Sequence, residues 1–259
     1  MLFTYNKFHE AFFMGTAGEI TGKFFTQYAH VHDYFHLKEE NSRLARQNAE
    51  LLNALPGNFV AGTGGGARQV RDSLPVDSLG HYRRFDWRGA DVINNSVIFP
   101  NNYVTLDKGA ADSIRKDMGV IGPDGIVGQV INVSEHFCVV MSLLHKQSQV
   151  SGMLARTRDA GRVRWDGNDP AILTMTDIPK NVKVAVGDTV VTSTYSEIFP
   201  AGIQIGTVLH IGSDPASNFY ILKVKSATNF GRLQHVFLVG NSLRQEQLDL
   251  ESETKKSFK

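Results

Sequence analysis

Three histidines lie close together near the N-terminus, at His30, His32 and His36. On a helix, His32 and His36 would share one face, a spacing that suits two ligands of one metal ion. The glutamate of a His-Glu-x-x-His site is missing, and the single cysteine, Cys138, excludes a cysteine-only zinc site. We therefore interpret the histidines as solvated or coil-flanking side chains and predict no metal and no cofactor.

A serine hydrolase is the second chemistry to consider, because paired β-barrels also form the fold of chymotrypsin-like proteases. Such an enzyme needs a serine in a glycine-rich turn whose backbone N–H groups stabilise an oxyanion. The nearest segment, 187–193, contains Asp188 and Ser193 but has the pattern of a β-strand, and the nearest early histidine is His81. No CxxC, HExxH, GxSxG or GxGxxG pattern occurs, so the sequence favours a scaffold or binding module over an enzyme.

Aromatic residues leave a third hypothesis open, in which a coiled-coil oligomer binds polysaccharide or peptidoglycan. Trp87 and Trp165 are the aromatics considered for that contact. Cys138 lies within the apolar run 137–141, so we expect it to be a small core residue rather than a nucleophile.

The composition is that of a globular protein. The chain has 259 residues and a mass of 28.6 kDa, with 42% hydrophobic and 20% charged residues, which fits one or two domains. Lys and Arg number 27 and Asp and Glu 26, a net charge of +1, so nucleic-acid binding through bulk charge is not expected. The chain contains no apolar run of about 18 residues, the length of a transmembrane helix.

Residues 16–54 predict one long helix, since proline first occurs after them and no glycine follows Gly22 within them. Leucines repeat every seven residues at heptad position d, and polar or aromatic residues repeat at position a. Leucine at d with asparagine at a is typical of a parallel two-stranded coiled coil. The predicted dimer seam consists of Tyr34, Leu37, Asn41, Leu44, Asn48 and Leu51. An amphipathic helix packed on its own domain is the alternative.

From about residue 81 to residue 240 the chain consists of short apolar runs separated by turn signals such as Pro123-Asp124-Gly125. This spacing indicates antiparallel β-barrels or sandwiches. The segment 125–130 resembles 202–208, as two related barrels would require. The predicted fold class is therefore mainly β, with an N-terminal long α-helix (coiled coil) and two small six-stranded antiparallel β-barrels.

The expected domain organisation places one barrel inside the sequence of the other. The chain is expected to begin with an arm at 1–15, whose aromatics suit a membrane interface, followed by the coiled-coil helix at 16–54 and a flexible linker at 55–80. A first barrel is expected from 81–112 plus 180–240, and a second, inserted barrel at 115–178. A disordered tail is expected at 241–259. Two sequential barrels are the alternative.

Ordered stretches at 90–96, 101–109, 119–130, 186–193 and 199–208 carry a family resemblance. Together with the helix ending Tyr34-Phe35-His36-Leu37-Lys38, they resemble the cell-shape-determining MreC family, and most of all its Bacteroidetes branch. The matching structural positions are Asn102, Gly109, Gly125, Gly128, Gly187, Asp188, Pro200, Gly202 and Gly206. The chain departs from the family at Thr194 and at Ser113, where the family usually has glycine.

The resemblance implies a non-catalytic periplasmic scaffold of the cell-wall elongation machinery, anchored in the bacterial inner membrane by an N-terminal helix that precedes this chain. It implies a homodimer that docks and activates the elongation transpeptidase, a class B penicillin-binding protein. Further implied partners are MreD, MreB, RodA and RodZ, with no nucleic acid. Exposed apolar residues on the C-terminal strands are the expected transpeptidase contacts.

Overall fold

The computed structural model describes residues 40–41, 43–60, 82–213 and 217–257. Helix α1 is described at 40–41 and 43–54. The remainder of the predicted 16–54 helix lies outside the described residues, and so do the 1–15 arm, Tyr34, Leu37, His81 and the three N-terminal histidines.

The rest of the described chain is mainly β-structure, with short 3-10 turns and a C-terminal helix, α2 (Arg244–Ser257). The strands are β1 (Phe59–Val60), β2 (Tyr82–Arg83), β3 (Phe85–Asn95), β4 (Asn101–Leu106), β5 (Gly119–Ile121), β6 (Ile126–Val133), β7 (Cys138–His145), β8 (Gln149–Leu154), β9 (Ala160–Trp165), β10 (Ile172–Pro179), β11 (Thr189–Thr192), β12 (Gln204–Ser213), β13 (Phe219–Ser226) and β14 (His235–Asn241).

Twelve of these strands close into two antiparallel six-stranded barrels. Barrel A has the strand order β14-β3-β4-β7-β6-β5, and barrel B has the order β10-β13-β12-β11-β8-β9. Alternation along each strand fills the interior with apolar side chains, as in β9, where Gly161, Val163 and Trp165 are buried and Arg162 and Arg164 are exposed.

Barrel B is inserted between β7 and β14 of barrel A, so the expected boundaries of the two barrels need correction. Strands β5 to β7 close barrel A, although the expected inserted barrel at 115–178 included them. Strands β11 to β13 close barrel B, although the expected first barrel, 81–112 plus 180–240, included them. The reason is physical: a strand's partner in a closed barrel is set by non-local pairing, which alternation within the strand does not encode.

The two barrels share one continuous hydrophobic core at their junction. Ile121, Ile126 and Leu143 of barrel A belong to the same buried cluster as Ile205 and Phe199 on the barrel B side. Hydrogen bonds also cross the junction, as the Thr228 hydroxyl donates to the carbonyl oxygen of Ile126 at 2.8 Å and the Asn241 amide donates to that of Glu197 at 2.7 Å. The junction is therefore both packed and hydrogen-bonded.

Three further expectations differ from the structure. The predicted linker begins with ordered chain, the 3-10 turn Pro56–Asn58 and strand β1, and its residues 61–80 lie outside the described part. The apolar run 182–186, one of the short runs between 81 and 240 that are expected to form strands, is a loop. The predicted disordered tail contains the end of β14 and helix α2; its polar composition suggested disorder, but it has no proline or glycine after Gly240 to break a helix.

Candidate functional site

The C-terminal end of α1 is fixed to the start of barrel A through Asn53, Asn58 and Trp87. The Asn53 amide nitrogen donates to the Trp87 carbonyl oxygen at 2.8 Å, and the Trp87 N–H donates to the Asn53 side-chain oxygen at 2.9 Å. The Trp87 indole N–H donates to the Asn58 side-chain oxygen at 2.9 Å, and the Asn58 amide donates to the Leu52 carbonyl oxygen at the end of the helix. These bonds join the last turn of α1 to strand β3.

The predicted dimer seam and the barrel-facing side of α1 occupy different faces of the helix. Leu51 is 67% exposed, whereas Ala49 and Leu52 pack against the barrel core. Asn41, Leu44 and Asn48 of the predicted seam are exposed as well.

The glycines at the positions that resemble the family fall into two groups. At Gly109, Gly125, Gly128 and Gly206 an added Cβ would lie within 2.5 Å of a backbone oxygen of a neighbouring segment, so these positions are sites of close backbone approach. Gly187 and Gly202 have positive φ angles of 94° and 90° in turns. All six positions shape the barrels and their turns.

Asn102 is buried and fixes the loop between β3 and β4. Its amide donates to the carbonyl oxygens of Leu144 at 2.8 Å and Phe99 at 2.6 Å, and its oxygen accepts the Phe99 N–H at 3.0 Å. Pro200 has a comparable local role, since its carbonyl oxygen accepts the Thr192 hydroxyl at 2.6 Å.

Asp188 ties the loop before β11 to the end of β8. Its carboxylate accepts from Arg156 Nε at 2.9 Å, from Arg156 Nη2 at 2.7 Å and from the Ala185 N–H at 2.9 Å. The hydrogen bonds from Arg156 are the main reason why the pKa of Asp188 lies below its ordinary value, against the opposing effect of burial.

The residues of the hydrolase hypothesis have other roles in the structure. Ser193 is buried, and its hydroxyl oxygen accepts the Tyr195 N–H at 3.1 Å, while Asp188 is occupied by Arg156. Cys138 is buried in barrel A, and burial, with a smaller contribution from Asp107, raises the pKa of its thiol to about 11. A thiol with this pKa is protonated at neutral pH and is a poor nucleophile.

The two tryptophans considered for glycan binding are core residues. Trp87 and Trp165 are buried, and their indole N–H groups donate to Asn58 and to the Asp169 carbonyl oxygen at 2.8 Å. Neither ring is available to stack on a sugar, so that assignment is wrong. Tryptophan fits such a buried site when its N–H finds a partner.

Barrel B carries an exposed apolar surface on β12 and β13, which we call the β12–β13 surface and define as Leu209, Phe219 and Ile221. These side chains are 52%, 44% and 40% exposed. Phe219 and Ile221 alternate with Leu222, which is fully buried, so they point away from the barrel interior. Leu209 lies in the β-bulge between Val208 and His210, which turns an apolar side chain outward.

Two site types have no candidate among the described residues. In that part of the chain, no group of three or more His, Cys, Asp or Glu side chains is placed to bind a metal ion. Likewise, none of the helices described there has the length and apolarity needed to cross a bilayer.

Comparison with known proteins assigns the chain to a family. Residues 92–240, which include most of both barrels, match the family model described as rod shape-determining protein MreC, barrel core. The chain belongs to the MreC family. The MreC family fold is also seen in solved structures: one of MreC from Listeria monocytogenes has a TM-score of 0.57 and 25% identity, covering 82% of this chain and 92% of that one.

Curated MreC relatives are similar over different shares of their length. The cell shape-determining protein MreC of Listeria monocytogenes is 28% identical over 211 residues, which are 80% of this chain and 68% of the relative. That of Escherichia coli is 25% identical over 140 residues, and the match covers 54% of this chain and 38% of the relative. Outside the Listeria protein, much of these relatives' length has no counterpart here.

One solved MreC structure includes another protein. It is a complex between Penicillin-Binding Protein (PBP2) and MreC from Helicobacter pylori, with a TM-score of 0.51 and 19% identity. The match covers 61% of this chain and 99% of that one. At this identity the likeness shows the barrel fold alone.

Sequence reasoning missed the residues that connect these elements. Asn53 and Asn58 flank the Leu55-Pro56-Gly57 turn, which suggested only a linker. Leu209, Phe219 and Ile221 lie in strands that were expected, but their outward orientation depends on a β-bulge and on the alternation within β13. The signal available in the sequence was an apolar residue at a strand position that alternation places on the outer face of the barrel.

Proposed function

We propose that this protein is a periplasmic scaffold of the bacterial inner membrane that controls cell shape by docking and activating a class B penicillin-binding protein. The observation that carries the proposal is the β12–β13 surface, three large apolar side chains exposed on a closed barrel. Closed barrels have no free strand edges, so a partner cannot add a strand to the sheet and must contact side chains or loops. Apolar anchors of this kind are typical of the centre of protein interfaces.

The proposal is supported by family membership and by the complex described for the Helicobacter pylori protein. Docking would activate the transpeptidase only if the surface contacts one of its conformations better than another, since a ligand shifts an equilibrium by its difference in affinity. MreD, MreB, RodA and RodZ are further proposed partners, inferred from the family resemblance.

The proposed scaffold is a homodimer joined through α1. The exposed Leu44, Asn48 and Leu51 would pair with the same residues of a second copy, continuing the seam through Tyr34, Leu37 and Asn41. Because Ala49 and Leu52 are used for the barrel, each helix can contact its partner without releasing its own barrel.

Affinity for the transpeptidase tests the docking proposal. The double variant Leu209→Ser with Ile221→Ser is compared with wild type in surface-immobilised binding to the periplasmic part of the class B penicillin-binding protein of the same organism. Loss of two interface anchors is expected to weaken binding by about tenfold or more. Phe137→Ser, which removes an exposed aromatic from the β6–β7 turn of barrel A, is the matched control. Equal affinity of wild type and double variant would refute docking through this surface.

Solution mass tests the dimer. Light scattering on the intact chain should give a dimer, and Leu44→Ser with Leu51→Ser should give a monomer. Arg46→Ser with Glu50→Ser changes exposed residues at heptad positions f and c and should remain dimeric. A wild-type monomer would contradict the proposed coil.

A further inference from the structure

A cleft lies where the two barrels meet, between β6, β8 and the loop that joins β11 to β12. Its volume is about 180 Å³. It is lined by Gln129 of β6, by 148–151 at the start of β8, and by 195–199 of the loop. We propose that this cleft binds one N-acetylated sugar ring of a neutral polysaccharide.

The lining of the cleft offers polar groups to a hydrogen-bonding ligand. Ser148 is only 5% exposed and lines the cleft. A hydroxyl at this position can both donate and accept a hydrogen bond with a ligand. Ser151 and Gln149 line the same cleft and add a hydroxyl and an amide.

The charge of the lining favours a neutral ligand. Glu197 is the one charged residue among the described residues that line the cleft, and none of them is Lys or Arg. Phosphates and carboxylates are bound by cationic groups, which this lining does not provide. The hydroxyls and amides of Ser148, Ser151 and Gln149 are instead the neutral donors and acceptors that match sugar hydroxyls.

Tyr195 supplies an aromatic face at the rim of the cleft. Its side chain is 78% exposed, although a tyrosine usually buries its ring. The loop that carries it is held by its own hydrogen bonds, since the Ser196 N–H donates to the Ser193 carbonyl oxygen at 3.1 Å and the Phe199 N–H donates to the Ser196 hydroxyl at 3.0 Å. The ring is thus presented on an ordered loop, as stacking on a sugar requires.

Apolar groups beside the polar ones select the acetylated sugar. Val150, Ile198 and Phe199 line the same cleft. An acetamido group offers a methyl to such side chains and an amide to their polar neighbours, which a plain hexose lacks. The cleft is also smaller than the roughly 300–1,000 Å³ of pockets for drug-sized ligands, so it fits a single ring.

An extended peptide fits the cleft less well. Peptides that add to a sheet need a free strand edge, but β6 pairs with β5 and β7, and β8 pairs with β9 and β11. With both strands paired on both sides, recognition must come from side chains.

The test is an NMR titration of the ¹⁵N-labelled full chain with the trimer of N-acetylglucosamine, and in parallel with cellotriose, which lacks the acetamido groups. We expect amide shifts confined to the cleft residues and an affinity for the acetylated trimer about tenfold higher than for cellotriose. Tyr195→Ala and Ser148→Ala should each weaken binding by about tenfold. Phe137→Ala, which removes an exposed aromatic from barrel A, should bind as wild type.

Three outcomes would overturn the proposal: no shifts at millimolar trimer, shifts outside the cleft, or unchanged affinity in both cleft variants. Larger shifts of the same amides with the dipeptide Ala-Ala would assign the cleft to peptide and equally overturn it. Tyr195 is exposed, so its replacement leaves the fold intact, and a thermal melt of each variant verifies this. No transpeptidase is present in the titration, so its result is independent of the proposed docking.

Discussion

The Asn53 side chain pairs with the backbone of Trp87 as a neighbouring β-strand would. One amide oxygen accepts the Trp87 N–H at 2.9 Å, and the amide nitrogen of the same group donates to the Trp87 carbonyl oxygen at 2.8 Å. A helical side chain therefore satisfies both backbone groups of a strand residue. Through this pair, the orientation of the last turn of α1 is set by β3.

Removing this pair should destabilise the protein. Asn53→Ala leaves the backbone N–H and carbonyl oxygen of Trp87 without their partners, which is expected to lower the free energy of unfolding by about 1–3 kcal/mol. Denaturant unfolding measures the change. Gln47→Ala, at an exposed position of the same helix, is the control and should alter stability by less than about 0.5 kcal/mol. Equal stability of the two variants would show that the pair contributes nothing.

A side chain at Gly125 should disturb the junction of the barrels. An added Cβ would lie 2.5 Å from the carbonyl oxygen of Gln204 in β12 and 3.2 Å from the Thr228 hydroxyl. Gly125→Ala must therefore move one barrel segment against the other, at a cost of about 1–3 kcal/mol. Gly89→Ala is the matched control in β3, because its added Cβ meets nothing within 4 Å. If both variants unfold at the same denaturant concentration, the close approach at Gly125 is not a constraint.

Ser113 occupies a position where glycine would be better tolerated. Its φ is 62° and its ψ is 26°, in the left-handed region, and its side chain is exposed. For a residue with a Cβ, that conformation costs about 1–2 kcal/mol. Glycine avoids this cost, but part of the gain is offset because glycine gives the unfolded chain more conformational entropy. Ser113→Gly should raise the free energy of unfolding by up to about 1 kcal/mol, whereas Ser113→Ala should bring no gain. A destabilised glycine variant in denaturant unfolding would refute this.

The contact between Asp188 and Arg156 should make stability depend on pH. The pKa of Asp188 is depressed in the folded state, so its contribution is complete above the ordinary aspartate pKa, about 3.9, and is lost as the pH falls through the folded-state value. Asp188→Asn should therefore lower Tm at pH 7, and the difference from wild type should shrink below about pH 4. Asp124→Asn, in an exposed turn, provides the comparison. A Tm difference that stays constant from pH 7 to pH 3 would exclude this contribution.

The presence of β-barrels could be predicted from the sequence because the patterns that specify strands and turns are local. Alternation such as that of Gly161, Val163 and Trp165 specifies which face of a strand is buried, and turns such as Pro123-Asp124-Gly125 separate the strands. The resemblance between 125–130 and 202–208 also has a structural counterpart. β6 and β12 each contain a glycine, Gly128 or Gly206, whose added Cβ would lie 2.1 Å from a backbone oxygen of the next strand.

The features that could not be predicted from the sequence depend on contacts between segments that are distant along the chain. Closure of barrel A depends on β14, a strand that lies far along the chain and pairs with both β3 and β5. The cost of a side chain at Gly125 depends on Gln204, and the exposure of Tyr195 depends on how its loop lies against β6 and β8. Thr194 is a case in which the sequence suggested a backbone constraint that the structure does not have. It stands where the family usually has glycine, yet it does not have a positive φ, so no left-handed backbone conformation requires glycine there.

The insertion of barrel B has a consequence for the order of folding during synthesis. β3 to β7 leave the ribosome long before β14, so barrel A stays an open sheet until the whole of barrel B has been made. During that interval the edges of β3 and β5 lack the partner that β14 later supplies, and unpaired edges invite aggregation and cleavage. A chain terminated before His235 would keep those edges unpaired, so barrel A can close only after β14 has been synthesised.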